Sequence, residues 1–357
     1  MTAGTDAPLE PTIRDVARQA GVSTATVSRV INGAGAARPQ TRARVLAAAA
    51  TLGYRPSAVA RSLKLRTTRT LGLLVTDIQN PYYPEIVRAV EDAALERHLA
   101  VLLCNGADDP GREDRYLNLL VDRRVDGIVI ASSGLHERHG AWLARCSVPV
   151  VLVNWAAGDL PLAAVLGDNR AGGRLATEHL LSLGHRRIGH LSAPARNAAA
   201  SERLDGIRRA LADAGLDPAS LAVVEGDGRV AGGERAAIEL LERKPDVTGI
   251  VCYNDLTAIG AVRGLRARGR HVPADVSIVG YDDIALSAWV DPALTTIAQP
   301  TAEMGRWAVR RLGELIGRAA EAVTQDGSAA VSHERSPVIL PVALRVRAST
   351  AAPRETA

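Results

Sequence analysis

The sequence predicts two architectures in one chain: an all-α helix-turn-helix head with a hinge helix, joined to an α/β core of two doubly wound lobes. Three observations lead there. Residues 11–66 carry ten Lys or Arg against a single acid, Asp15. Two short amphipathic segments in that stretch are separated by a glycine turn at Gly21. Beyond residue 70, short apolar runs alternate with helical ones, the pattern of parallel sheets covered by helices.

Composition narrows the function classes. A chain of 357 residues, 47% apolar and 23% charged, has the balance of globular domains. Its three cysteines, Cys104, Cys146 and Cys252, are too few and too scattered for a disulfide framework or a cysteine-rich zinc module, and they suit a reducing compartment. No apolar run approaches the ~18 residues of a membrane span. The opening segment MTAGTDAPLEPT has no basic stretch followed by an apolar one. These features predict a cytoplasmic protein without a membrane partner. The net charge of +4 conceals an asymmetry, with +9 on residues 11–66 and −5 on the remainder. A basic head on a mildly acidic body is the electrostatic footprint of a nucleic-acid module joined to something else.

In the head, Thr12 and Asp15 have capping-box spacing, and Ile13, Val16, Ala17 and Ala20 follow at helical intervals. Gly21 stops that helix. Ser23 caps a second one over 24–32, with Val27, Val30 and Ile31 inward. A third is predicted over 39–52, with Val45, Leu46 and Ala49 inward and Gly53 at its end. In a helix-turn-helix, the start of the second helix reads base edges in the major groove. Arg29 suits guanine, and Thr24 and Ala25 are small enough for thymine methyls. Ser23, Thr26 and Ser28 suit phosphates. Thr12, Asn32 and Tyr54 complete the expected DNA-contacting set of the head. Residues 57–63, after Pro56, can form about two helical turns. A helix that short is marginal alone in water and needs a partner helix and DNA to form.

The run TIRDVARQAGVSTATVSRVING with TRARVLAAAATLGYRPSAVARSLK resembles the DNA-binding head of the lactose/galactose repressor family of bacterial regulators. The resemblance implies paired hinge helices in the minor groove, with Leu63 as the wedge at the central base step and Ala60 facing its twin. Arg38 stands where the family usually has a serine cap, a departure worth about 1 kcal/mol. Ser57 often appears as Asn.

In the body, strands are expected at 71–76, 100–105, 127–131 and 148–154, with helices at 83–97, 110–123 and 137–145. A second set has strands near 188–192, 222–225, 249–253 and 277–281. Its helices fall near 170–183, 201–214, 231–243, 255–268 and 284–289, and a last strand lies near 338–346. The echo between VDGIVI at 125–130 and VTGIVC at 247–252 fits two lobes of similar build. Ligands of such sheets bind at the carboxyl ends of the strands, which places the site between the lobes.

The resemblance continues through GLLVTDIQNPYYPEI, GDNRAGGRLATEHLLSLGHRRIGHLS and YNDLTAIGAVRGLRARGRHVPADVSIVGYDD. It implies a periplasmic-binding-protein-like core. The divisions are then 11–56 for the head, 57–69 for hinge and linker, and 70–347 for the core. Within the core, the N-lobe is expected at 70–165 and 298–322 and the C-lobe at 166–297 and 335–347. Matched to the family's effector pocket are Thr76, Tyr82, Tyr83, Asn154, Trp155, Arg203, Asn254 and Asp282. Such a set pairs donors and acceptors with a flat apolar face, as a hydroxyl-rich ligand requires. Asn254 and Asp282 could instead cap the helices that follow them. The purine-binding branch of the family holds its base between two rings, and Gly228 stands at the second ring position, which favours a sugar. The runner-up reading is a sugar-binding protein of the periplasmic type without DNA function. The resemblance implies a homodimer on a pseudo-palindromic operator, controlled by a small effector whose sense, inducer or corepressor, the sequence leaves open.

Nothing argues for catalysis or a cofactor. Gly33-Ala34-Gly35 follows a helix instead of a strand, so it is no dinucleotide loop, and no Gly-x-Ser-x-Gly elbow occurs. His136 with His139, and His185 with His190, lack zinc-site spacing supported by cysteines or nearby acids.

Overall fold

The computed structural model describes residues 11–31, 37–55, 67–132, 138–155, 162–194, 197–324 and 336–354. The chain forms two compact units, Met1–Thr68 and Arg69–Ala357. Asn32, Ala60 and Leu63, with the hinge expected over 57–63, lie outside the described residues.

The head consists of α1 (Ile13–Ala20), α2 (Thr24–Ile31) and α3 (Pro39–Leu52). Asp15 Oδ2 accepts from the Thr12 amide at 2.9 Å and from its hydroxyl at 2.7 Å, and this holds the first turn of α1. Gly21 ends the helix at φ 61°, in the left-handed region that suits glycine. Its neighbour Arg44 on α3 donates to the carbonyls of Ala20 and Gly21 and so covers the open carbonyl end of α1. Ser23 Oγ accepts from Thr26 N at 3.2 Å and caps α2. Val16, Ala17, Ala20, Val27, Val30, Val45 and Ala48 form the small core. Leu46, expected inward, is 49% exposed, and Ala48 takes the inward position on α3. Arg38 precedes α3 with no side-chain cap bond, as its departure from the family predicts.

The body contains two six-stranded sheets. The first lobe comprises β1 (Thr70–Val75), α4 (Tyr82–Leu95), β2 (Ala100–Asn105), α5 (Pro110–Asp122), β3 (Gly127–Ala131), α6 (Arg138–Arg145), β4 (Val150–Val153) and β5 (Ala163–Gly167). The second comprises α7 (Asn169–Ser182), β6 (Ile188–Ser192), α8 (Ala198–Asp213), β7 (Ala222–Glu225), α9 (Val230–Arg243), β8 (Gly249–Cys252), α10 (Asp255–Ala267), β9 (Ser277–Asp282) and β10 (Thr295–Ala298). The chain then returns with α11 (Thr301–Thr324), which packs on α4 and β3–β5 of the first lobe, and ends in β11 (Val338–Leu340) and β12 (Ala343–Arg345). Strand order is β11-β5-β4-β3-β1-β2 in one sheet and β12-β10-β9-β8-β6-β7 in the other. Every pair is parallel except β10 with β12. Central strands such as β1, β3 and β4 are buried almost throughout, because helices cover both faces.

The structure corrects several expectations. The strand expected at 338–346 is two strands, one in each sheet. Pro341 lies between them, lacks the amide that a continuous ladder needs, and lets the chain change sheets. The expected helix at 284–289 is a 3₁₀ turn, Ala285–Ala288, because a segment that short gains too few bonds to offset nucleation. Strands β5 and β10 were not anticipated; both lie where the chain leaves one lobe for the other.

Candidate functional site

The carboxyl ends of the two sheets face a cleft of about 710 Å³. Seven of the eight expected effector residues line it: Thr76, Tyr82, Tyr83, Asn154, Arg203, Asn254 and Asp282. Trp155 does not. β4 ends at Val153, and beyond the left-handed backbone of Asn154 (φ 63°) Trp155 packs into the apolar cluster of Leu143, Val150 and Leu152.

Arg203, on α8 and 3% exposed, is the most constrained group. Its Nε donates to Asn169 Oδ1 at 3.0 Å, and one terminal nitrogen donates to the Tyr253 carbonyl at 2.6 Å. The other terminal nitrogen lies 3.9 Å from Asp282 Oδ1. Its guanidinium carbon lies 3.5 Å from the centre of the Tyr281 ring and 4.8 Å from that of Tyr253. Burial works against the charge, and Tyr281, Tyr253 and Asp282 more than offset it, raising the pKa. A pair of glycines makes this arrangement possible. A Cβ on Gly173 would lie 2.1 Å from the Arg203 carbonyl oxygen, and one on Gly172 would lie 2.3 Å from the Tyr281 hydroxyl. Alanine at either position would prevent α7 from approaching α8 and β9 so closely.

Asp282, at the end of β9, does not cap the segment after it. Its Oδ1 accepts from Gln299 Nε2 at 2.8 Å, and its φ is 111°. Burial pushes its carboxyl up to about 6, against the opposing pull of Arg203 and Gln299. Asn254 does cap α10, accepting from Thr257 N at 2.8 Å and donating to the Gly228 carbonyl at 2.9 Å. For Asn254, capping and lining the cleft coexist. Asn154, at φ 63°, is 5% exposed, and its Oδ1 has no partner among the described residues. Backbone held in such regions costs about 1–3 kcal/mol per residue, and two of these positions, 154 and 282, face each other's lobes at the cleft. Tyr82 and Tyr83 meet edge to face with centroids 5.3 Å apart, and the Tyr82 hydroxyl lies 3.8 Å from Met304 Sδ. Thr76 donates to Ser132 at 3.0 Å.

Sequence reasoning missed four features of this cleft. Tyr253 lies beside Gly228, where an added Cβ would meet its ring at 3.4 Å, so the second lobe supplies an aromatic after all. Its hydroxyl accepts from Asn197 at 2.6 Å. Arg229 of the second lobe reaches across to Asp77 of the first at 2.9 Å. The third is Gln299, which supports Asp282 from the return segment. Finally, His139 is not without acids: fully buried on α6, it has Asp114 at 2.9 Å and Glu113 at 3.7 Å on α5, neighbours that sequence distance concealed. His185, by contrast, packs in the turn before β6 as expected, bonded to Thr248 and Ala351. Among the described residues, no group of three or more His, Cys, Asp or Glu could hold a metal ion. No described helix is long and apolar enough to cross a membrane.

On the head, Thr24 and Ala25 at the start of α2 and Arg29 in its last turn are exposed, as are Thr12 and Ser23. Thr26 and Ser28 are half-buried. Tyr54 packs against the head's core.

Residues 12–57 match the bacterial regulatory proteins of the lacI family, and residues 68–335 match the periplasmic binding proteins and sugar binding domain of the LacI family. The chain belongs to the LacI family. This LacI-family chain is a DNA-binding transcriptional regulator, and its matched head favours that reading over a binding protein without DNA function. It is 38% identical over 306 residues to the HTH-type transcriptional repressor PurR of Aliivibrio salmonicida (strain LFI1238), covering 85% of this chain and 92% of that one. It is 40% identical over 299 residues to the ribose operon repressor of Escherichia coli (strain K12), covering 84% and 91%. Its fold matches the crystal structure of the Lac repressor dimer bound to operator and the anti-inducer ONPF. The TM-score is 0.84 at 31% identity, over 96% of this chain and 100% of that one.

Proposed function

We propose that this regulator is a homodimeric repressor, acting in the cytoplasm and not an enzyme, that binds a pseudo-palindromic operator under the control of a hydroxyl-rich effector held in the cleft. The observation that carries the effector reading is the convergence of Tyr82, Tyr83, Asn154, Arg203, Asn254 and Asp282 on one cavity. That cavity offers flat apolar rings beside paired donors and acceptors. The similar ribose operon repressor supports a sugar as the ligand class. In this reading, residues 11–56 bind DNA and 57–69 couple them to the core at 70–347. Arg29, Thr24 and Ala25 read base edges, with Asn32, Ala60 and Leu63 contributing from the segments around them. A dimer places two heads on two half-sites, which ties operator symmetry to protein symmetry.

The test is fluorescence anisotropy of the full-length protein on palindromic and scrambled duplexes across a salt series, with and without sugars. The expected result is a preference for one palindrome, a steep salt dependence, and a shift of about 100-fold or less on adding the true effector. Equal affinity for every duplex at every condition would overturn the reading.

A further inference from the structure

The cleft is lined by five carboxylates, those of Asp77, Asp108, Glu113, Asp227 and Asp282, against two guanidinium groups, those of Arg203 and Arg229. Neither guanidinium is unpaired. Arg203 is engaged by Asn169, Tyr253 and Asp282, with Tyr281 against one face, and Arg229 is paired with Asp77. An unengaged arginine fork is one way to hold a phosphate or carboxylate.

Helix N-termini are the other anion sites that this kind of fold offers. Five begin at the cleft, and at four of them an Asn or Asp of the chain itself accepts from a helix amide. Asn80 accepts from Tyr82 N, Asp109 from Gly111 N and Arg112 N, and Asn197 from Ala199 N and Ala200 N. Asn254 accepts from Thr257 N, whereas at α9 Asp227 accepts from Arg229 N, just before the helix, and stands as a carboxylate beside that helix start. What the first lobe presents to a ligand includes acceptor capacity, such as Asn154 Oδ1, which has no partner among the described residues.

Glu113 is the one buried acid on that wall, 5% exposed. It is fixed from two sides. Gly106 leaves room for it, since a Cβ there would meet Glu113 Cγ at 2.9 Å and Oε1 at 3.1 Å. Fully buried His139 stands behind it, between Glu113 and Asp114. A carboxylate braced in this way cannot turn out to water to escape an incoming negative charge.

We propose that Glu113 is the charge filter of the cleft: it confines the effector to a non-anionic ligand whose hydroxyl or ammonium groups donate hydrogen bonds, and it rejects phosphorylated or carboxylated counterparts. His139 is its positioning residue. The proposal rests on the reading of the cleft as a carbohydrate effector site.

The test uses the full-length protein, thermal shift and calorimetry with matched probes: D-ribose and D-ribose 5-phosphate; D-glucose, D-glucosamine, D-glucose 6-phosphate and D-glucuronate; and cellobiose. A neutral or aminated member binds, and its anionic counterpart binds on the order of a hundredfold more weakly, about 2.8 kcal/mol at 1.4 kcal/mol per tenfold. Glucose against glucosamine separates hydroxyl from ammonium recognition. Glu113→Gln narrows the neutral-to-anionic ratio at least tenfold. Gly106→Ala, which displaces the carboxylate without removing it, narrows the ratio by a smaller factor. A ratio unchanged by both variants, with all affinities falling together, makes Glu113 merely structural and overturns the filter. So does an anionic probe that binds as tightly as its neutral partner, while leaving the effector site standing. A panel in which nothing binds overturns the carbohydrate reading of the cleft and the filter with it.

Discussion

Arg203, in the second lobe, has all three guanidinium nitrogens engaged, whereas Asn154, across the cleft in the first lobe, leaves a buried carbonyl oxygen without a partner among the described residues. The same contrast extends along both walls. The second lobe brings a connected set of Asn169, Arg203, Tyr253 and Asp282, with Gln299 behind it, and Asn254 is fixed beside them by Thr257 and Gly228. The first lobe brings an aromatic pair and acids. A connected polar set stays in one geometry because moving one member breaks the bonds of others, while a wall with spare acceptors gains its partners only when a ligand arrives. The second lobe is therefore the preorganised half of the grip, and the first is the half that ligand binding completes.

Breaking the preorganised half has the largest expected effect. Arg203→Met removes the buried cation, leaving Asp282 without its counter-charge and the Tyr253 carbonyl without its donor. It should cost about 3–5 kcal/mol in urea unfolding and abolish the effector response. A variant of parental stability would show that the second wall is no more fixed than the first.

Next comes pH. Burial holds Asp282 at about 6, so the folded protein keeps a proton that the unfolded chain releases near 3.8, and stability falls as pH rises from about 4 to 6. Burial pulls His190, whose Nδ1 lies 2.8 Å from the Val251 carbonyl, down to about 4. The folded protein refuses a proton that the unfolded chain takes up below 6.5, so stability falls as pH drops from 6.5 to 4. The two slopes oppose each other in one window. Relative to the parent, Asp282→Asn should tilt the profile upward with pH by about 3 kcal/mol over that range, and His190→Gln should tilt it downward by a similar amount. Urea melts from pH 4 to 7 measure both; two parallel profiles would count against the assignment.

The smallest effect concerns the ion pair that joins the walls. Arg229 is half exposed, so Arg229→Ala should change stability by less than about 1 kcal/mol. Because the pair spans the lobes, stopped-flow displacement should show the effector leaving several-fold faster. An unchanged off-rate would confine Arg229 to the surface.

Much of this was legible in the sequence because it depends on local pattern. Apolar runs such as TLGLLV and GIVIA locate the inner strands, and polar residues at their ends fall on the cleft, since strand ends and sites coincide in these folds. What stayed hidden depends on distance. Pro341 is visible as a breaker, yet only the pairing partners reveal that the chain changes sheets there. Gly172 and Gly173 can be read in the sequence, but what they make room for, the Tyr281 hydroxyl and the Arg203 carbonyl, lies 30 residues or more away. Glu113 and His139 are 26 positions apart and meet only because α5 and α6 lie side by side. Trp155 was misplaced for a different reason: the backbone turns through the left-handed region at Asn154, and adjacency in sequence does not show that the next side chain then packs into the first lobe's core.

The chain passes between the sheets three times, at Gly167–Asn169, at Ala298–Thr301 and at Leu340–Ala343. Three short tethers permit the lobes to swing about a common fulcrum and resist sliding. Asn169 on the first tether holds Arg203, and Gln299 on the second holds Asp282. A molecule that tugs on this cation and carboxylate consequently pulls one bond away from the pivot, where a small displacement is magnified along the full length of each lobe.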